Sequence, residues 1–414
     1  MTLPACRLCA APMQRDLVDL GATPLANCYV TREEAARGID RPYPLRVMVC
    51  DRCLLVQVTE TIPPDAIFAA DYAYFSSYSA SWVAHARRYA QAMIERFGLA
   101  ANSLVAEVAS NDGYLLQHFR VAGIPVLGIE PAANVAAAAR RIGVPTEEKF
   151  FGADTAAGLA AQYGRADLMA ANNVLAHVPD LPGFVAGFAA MLAPEGVVTF
   201  EFPHLLRLLE QVQFDTIYHE HFSYLSLLVV DHVLNEAGLR VFDVESLPTH
   251  GGSLRVFACR QTAHHAPCPG LDAVRAQESA AGLHRPDAYD SFAPKVARIR
   301  DGFRAFVTTE RTNGRRLAGY GAAAKGNTFL NVCGITADDL TCVADRNPAK
   351  QGKLLPGSHI PVVSPDELAA TRPDDVVVLP WNIADEVAAE LAPLAAAGTR
   401  LWVAVPQARL LSAA

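Results

Sequence analysis

At 414 residues the chain exceeds what one hydrophobic core serves at roughly 100 to 200 residues per domain, so two or three domains are expected. A content of 51% hydrophobic against 19% charged residues excludes an intrinsically disordered chain. The net charge of −8, from 35 basic and 43 acidic side chains, supplies no basic footprint for a phosphate backbone, so no nucleic acid partner is expected.

The longest apolar runs, such as residues 376–379, are only strand-length, so no membrane span is expected. The opening MTLPACRLC has neither the basic start nor the apolar centre of a secretory signal, and a cytoplasmic location is the expectation.

Residues 1–70 form the first expected domain, rich in Cys, Pro and short β-prone pieces such as LLVQV, with no helix-length periodic stretch. Such a segment needs a staple. Cys6 and Cys9 make one CxxC pair, and Cys50 and Cys53 another. Four soft thiolates suit a tetrahedral Zn²⁺, and a site filled by four protein ligands leaves no open position, so the zinc is expected to be structural. Cys28, Cys259, Cys268, Cys333 and Cys342 are scattered and read as small hydrophobes.

The second domain is expected over residues 71–262. Its aromatic opening DYAYFSSYSASW leads into a helix with apolar Trp82, Val83, Tyr89, Met93 and Phe97. From residue 103 to about 260, strand-like runs alternate with Ala-rich helical ones, which predicts a parallel sheet with crossover helices, a Rossmann-like α/β fold. The run LVAEVA is a buried strand followed by the turn Ser110, Asn111, Asp112, Gly113, so a ligand is expected at its carboxyl end. Gly113 allows close backbone approach. Glu107 and Asp112 can meet a cationic group, Glu130 ends the next strand where an acid accepts ribose hydroxyls, and Asn172 ends a later one. A dinucleotide site also places an acid there, but its pyrophosphate requires the three glycines of GxGxxG, and this turn has one. A nucleoside without phosphates, S-adenosylmethionine (SAM), fits better.

The stretch Tyr218, His219, Glu220, His221, Phe222, Ser223, Tyr224 concentrates proton-transfer groups as no other does. Its HEH is not a zincin pattern, which needs His at i and i+4. Buried polar pairing beside the sheet is the plain alternative to catalysis. His177 follows a strand end and would face the same cleft, and His250 lies in the turn THGGS, which is either a wall of the substrate cleft, with His250 a substrate-binding candidate, or merely a tight turn.

Residues 263–414 form the third expected domain. Residues 271–303 read as helix, and a second strand–helix alternation then begins. GYGAAAKGN follows a strand and opens a helix, where free N–H groups and the dipole attract phosphate. Gly321, Lys325 and Asn327 are candidates there for a nucleotide, with Asp345 at the next strand end. GxG alone is weak, and a domain that binds nothing or an NAD-dependent reductase is also compatible.

The ordered set of CxxC pairs, EVASNDG with Glu130, NNVLAHV, YHEHFSY, THGGSLR and GYGAAAKGN resembles the zinc-containing sugar C-methyltransferases of deoxysugar biosynthesis over essentially the whole chain. The resemblance implies methylation of the carbon beside the ketone of a nucleotide-linked 4-keto sugar, with SAM in the central domain and the nucleotide gripped by the C-terminal one. It implies Tyr218, Glu220 and His221 as the catalytic cluster, His177 near the methyl donor, and Tyr72, with Tyr74 as the alternative, as an N-terminal catalytic tyrosine. His219 departs from the tetronitrose-pathway member, which has an acid there. Methyl transfer to oxygen or nitrogen is the alternative chemistry. A monomer is the expected state.

Overall fold

The computed structural model describes residues 3–59, 62 and 75–411. Tyr72 and Tyr74 lie outside the described residues. No helix among those described is long and apolar enough to cross a membrane.

Three sheets organise the chain. Strands β1 (Arg15–Thr23), β2 (Tyr43–Val49) and β3 (Val56–Val58) form an antiparallel sheet at the zinc-ligand end. β4 (Val105–Val108), β5 (Val126–Ile129), β6 (Thr146–Glu147), β7 (Ala166–Asn172) and β8 (Leu192–Pro203) are mutually parallel. The two-residue β9 (Ser223–Tyr224) leaves that domain and pairs with β3, completing the first sheet in the order β1-β2-β3-β9. β10 (Leu239–Leu247) and β11 (Ser253–Arg260) then add antiparallel to β8, giving the order β10-β11-β8-β7-β4-β5-β6. The expected parallel sheet is therefore mixed at one edge.

Every residue of β4 is buried, as a parallel strand covered on both faces requires. The chain runs outward from β4 to β5 and β6, then returns to its other side as β7 and β8. This reversal opens a crevice at the carboxyl end of β4, the usual ligand position of such sheets. The helix Ala80–Phe97 covers one face, burying Ala86, Tyr89, Ala90 and Met93 at helical spacing. Ser79 caps its start, and left-handed Gly98 ends it.

The third sheet runs β14-β13-β12-β15-β16-β17, with β12 (Leu317–Tyr320), β13 (Val343–Ala344), β14 (Val362–Val363), β15 (Asp375–Val378) and β16 (Arg400–Val403) parallel and β17 (Arg409–Leu410) antiparallel. The single helix expected over 271–303 is two, Pro269–Ala280 and Phe292–Thr312. Gly282 at φ +78° and Pro286 at the start of a short 3₁₀ turn break it.

The zinc-ligand end is wedged between the other two domains. One apolar cluster joins Cys6, Met13, Met48, Cys50 and Leu55 to the central sheet, and another joins β1, β2 and β3 to the helix Phe292–Thr312 and the third sheet.

Candidate active site

The two CxxC turns are built alike. Ala10 N–H bonds to Cys6 O at 2.9 Å and Leu54 N–H to Cys50 O at 2.9 Å. The residue after each second Cys, Ala10 and Leu54, is left-handed at φ 57° and 62°. Cys6 and Cys53 Sγ are 3.5 Å apart, as are Cys9 and Cys50, and all four sulfurs lie within 4.8 Å of one another. Zn–S bonds of about 2.3 Å in a tetrahedron put sulfurs about 3.8 Å apart, so the four residues fit zinc. Arg7, inside the first turn, donates to Val58 O at 2.6 Å and to Phe222 O, tying the knuckle to the loop that carries the HEH sequence.

At the carboxyl end of β4 the turn is held by its own backbone. Asn111 N–H donates to Glu130 Oε2 at 3.0 Å and Ala132 N–H to Oε1 at 2.9 Å, so Glu130 bridges the loops after β4 and β5 while each oxygen keeps a second lone pair. From the segment before the helix Ala80–Phe97, Ser76 N–H reaches Asn111 Oδ1 at 2.8 Å and Ser77 N–H reaches Asp112 Oδ2 at 3.1 Å. Gly113 at φ +80° lies against Val144, Ile142 and Ala139.

Ser110 Oγ, Asp112 Oδ1, Asn172 Oδ1 and Asn173 Oδ1 are buried without a hydrogen-bond partner among the described residues. Burial pushes Glu107 well above the usual carboxylate range, opposed by the Tyr114 hydroxyl, and raises Glu130 as well. Four unmet polar groups at the neighbouring ends of β4 and β7 fit a polar ligand such as SAM.

Expected catalytic residues and the substrate-site candidate His250 converge from three separate segments. His177 ends the 3₁₀ turn Leu175–His177 after β7, Tyr218 and His221 sit between the 3₁₀ turn Phe214–Thr216 and β9, and His250 lies in the turn Thr249–Gly251 between β10 and β11. The Tyr218 and His221 rings are 4.0 Å apart, and those of His177 and His221 are 4.7 Å apart. His221 Nδ1 lies 2.8 Å from Thr216 O, and His177 Nδ1 lies 2.8 Å from Glu220 O. A carbonyl only accepts, so both rings carry the proton on Nδ1 and, when neutral, the lone pair on Nε2. Burial lowers His177 to about 4 and His221 well below the ordinary imidazole value, with His177 adding to the second shift.

His219 is turned the other way. Its Nε2 meets Pro44 O at 3.1 Å and its ring lies edge-on to Tyr43, inside the first sheet. Glu220 reaches Asn27 of the zinc-ligand segment, and burial raises its carboxyl to about 7.

His250, left-handed at φ 54°, packs edge-on to Trp82 at 5.2 Å, and Trp82 also lies 6.1 Å from Tyr114 beside Glu107. Within the third domain Lys325 donates to Asn382 and lies 4.7 Å from the Trp381 ring, and its charge lowers the pKa of both His221 and His250 in the central domain. Of the residues assigned to a nucleotide, Lys325 and His250 thus face the imidazole cluster. Asn327 instead donates to Ala26 O at 2.5 Å, and Asp345 accepts from Asn347 N–H at 2.8 Å and Lys350 Nζ at 3.4 Å. Gly321 is required by packing, because a Cβ at its φ of +89° would stand 2.4 Å from Pro380.

Sequence reasoning missed Asn27, Trp82, Asp215 and Trp381. Of these only the tryptophans carry a local signal, being two of three in the chain.

Family models match the chain in three consecutive blocks: a zinc binding domain at residues 6–68, a methyltransferase domain at 82–244, and a C-methyltransferase C-terminal domain at 248–406. The chain is 38% identical over 408 residues to the C-methyltransferase NovU of Streptomyces niveus, covering 99% of this chain and 97% of that protein. Among solved structures, it is similar to magnesium protoporphyrin IX methyltransferase (ChlM) from Synechocystis PCC 6803, at 14% identity over 43% of this chain and 83% of that one, with a TM-score of 0.35. A SAM-dependent methyltransferase from Clostridium acetobutylicum ATCC 824 gives 11% identity, 47% and 95% coverage, and a TM-score of 0.35. At TM-scores below 0.5 neither likeness adds to the family match. With 38% identity over nearly its full length and a SAM-methyltransferase core beside a four-cysteine zinc module, the chain belongs to the C-methyltransferase family.

Proposed function

We propose that the enzyme methylates the carbon adjacent to the ketone of a nucleotide-linked 4-keto sugar. The observation that carries this reading is the cluster of the Tyr218, His221 and His177 rings, with the His221 Nδ1–H held by the Thr216 carbonyl. Carbon beside a ketone becomes a nucleophile only when a proton is removed from it. His221, neutral and with Nε2 as its basic nitrogen, is the base in this reading, and general-base help is worth about 10²- to 10⁴-fold. Tyr218, in ring contact with His221, passes that proton on. His177, whose Nδ1–H is held by the Glu220 carbonyl, presents a lone pair at Nε2, so it meets the enolate oxygen only after Nε2 has taken up the proton that Tyr218 passes on, and Glu220 sets the peptide that holds this tautomer.

Glu107, Ser110, Asn111, Asp112, Gly113, Glu130 and Asn172 would hold SAM, whose sulfonium supplies the electrophilic methyl group. Lys325 and His250 would hold the sugar nucleotide near the imidazoles, with Gly321, Asn327 and Asp345 shaping the wall behind it. The Cys6, Cys9, Cys50 and Cys53 zinc would have no part in the chemical step, since all four of its positions are filled by protein.

The test supplies methyl-labelled SAM and nucleotide-linked 4-keto sugars in deuterated water. Methyl on carbon, together with deuterium wash-in at that carbon without SAM, is expected. Methyl on oxygen or nitrogen, or no wash-in, overturns the reading.

A further inference from the structure

Glu220 lies in the catalytic loop, yet its side chain takes its hydrogen bonds from another domain. Asn27 Nδ2 donates to both carboxyl oxygens, at 2.8 Å to Oε1 and 3.0 Å to Oε2. The seat of Asn27 is fixed on every side. Ala26 O accepts from Asn327 Nδ2 at 2.5 Å, the Tyr29 hydroxyl donates to Ala322 O at 2.5 Å, and Val30 exchanges backbone bonds with Leu354 at 3.3 and 2.7 Å. Cys28 N–H closes a turn onto Leu25 O at 3.0 Å. The loop that presents Asn27 is therefore pinned to the third domain, which leaves the amide little freedom except to meet Glu220.

We propose that Asn27 is a positioning residue of the active site: its amide, carried by the zinc module, anchors the Glu220 carboxyl and, through the Glu220 peptide, the His177 ring. This rests on the function proposed above. The Glu220 carbonyl is the group that receives His177 Nδ1–H at 2.8 Å, and His221 is the next residue. A slack Glu220 side chain frees that peptide and loosens both imidazoles.

The amide also sets the charge of the carboxyl. Burial raises Glu220 to about 7 and the Asn27 bond works against it. The other titratable group facing it is Tyr29 from the zinc module; the His177 ring meets the Glu220 carbonyl rather than the carboxyl, and Lys350 and Asp345 of the third domain meet Tyr29 rather than Glu220. Asparagine suits the position because it donates without carrying charge. An aspartate would set two carboxyls within hydrogen-bond distance, where both cannot ionise freely.

The experiment uses the full zinc-loaded chain, unsubstituted and as Asn27→Ala and Asn27→Asp, with zinc content and SAM affinity measured first. The protonated-carboxyl infrared band of Glu220, identified by its loss in Glu220→Gln, is followed against pH. Its midpoint is expected to rise by about one pH unit in Asn27→Ala and further in Asn27→Asp. Zinc and SAM binding should hold, and kcat should fall about tenfold or more, with the inflection of its pH profile moving in step. Folded, zinc-replete variants with an unmoved midpoint and an unmoved kcat overturn the proposal. In the unsubstituted protein the Asn27 side-chain amide signal must titrate with the Glu220 midpoint, and a signal flat across that range overturns it without any substitution. The two titrations need no sugar, so their failure is distinct from the failure of the unsubstituted enzyme to methylate a keto sugar.

Discussion

The Trp381 indole donates its Nε1–H to the Asp215 carboxylate at 2.6 Å, joining the segment after β15 to the 3₁₀ turn that leads into the catalytic loop. The joint is close-packed. A Cβ on Gly251, at φ +85°, would lie 2.4 Å from the Trp381 ring and 2.7 Å from Gln213 Nε2. Burial raises Asp215 to about 6, and the indole and Lys325 hold it down. Gly251→Ala should cost about 1–3 kcal/mol of stability through overpacking and positive-φ strain. Trp381→Phe should cost about as much by leaving a buried carboxylate oxygen unpaired. Because both changes displace Lys325 from its seat, kcat/KM for the sugar nucleotide should fall at least about tenfold while SAM affinity holds. Urea unfolding and steady-state kinetics check this, and an unaltered kcat/KM in either variant would separate the joint from substrate binding.

A second glycine controls the cofactor pocket without touching it. Gly128 in β5 has space for no side chain, since a Cβ would stand 2.5 Å from Ser110 Oγ and 2.8 Å from Thr146 Oγ1. Ser110 Oγ is one of the unpartnered atoms at the end of β4, so Gly128→Ala pushes it out of position. The dissociation constant for SAM should rise about tenfold, the equivalent of one lost hydrogen bond, with fold and zinc content retained. Calorimetric titration reads this, and wild-type affinity would mean that Ser110 gives way harmlessly.

What sequence reveals here follows distance along the chain. The zinc ligands are legible because each pair is two residues from its mate and each knuckle is a complete local turn. Glu107, Glu130 and Asn172 are legible because strand ends in an alternating α/β pattern share one edge. Asn27 is not, because its partner Glu220 is 193 residues away and nothing around the asparagine marks it. The departure of β9 to the first sheet is equally hidden, since two residues carry no periodicity. The expected helix over 271–303 failed for a local reason: charges at helical spacing on both sides outweighed the Gly282 and Pro286 break between them. Lys325 is legible as a cation where a glycine-rich turn opens a helix, but not in its direction, which the tertiary partners Asn382 and Asp215 decide.

Zinc is expected at one ion per chain by atomic absorption, since one four-sulfur site is present among the described residues. Cys9→Ser should lower occupancy and loosen the first sheet. Because β3 of that sheet pairs with β9, just beyond His221, removal of the metal by a chelator should also reduce kcat even though no zinc ligand faces the cleft. Full activity after complete demetallation would show that the sheet holds β9 unaided.

The imidazoles give the sharpest pH signature. His177 and His250 are lowered to about 4, chiefly by burial, and burial likewise holds His221 well below the ordinary imidazole value, while the rings in an unfolded chain titrate near 6.5. Nitrogen-15 spectra should therefore find all three neutral at pH 5.5. Between the folded and unfolded values the unfolded state binds more protons, so each ring contributes stability that is complete above about pH 6.5 and is lost as pH falls toward 4. Glu220 and Asp215 have raised values and act in the opposite direction, so the total curve does not isolate the rings. A difference does. In His177→Gln the titrating ring is gone and the acids are not, so its urea midpoint should drop less between pH 6.5 and 5 than that of the unsubstituted protein. Equal drops, or an imidazolium signal from His177 at pH 6, would mean that the ring is solvated and that burial does not hold the imidazole cluster neutral.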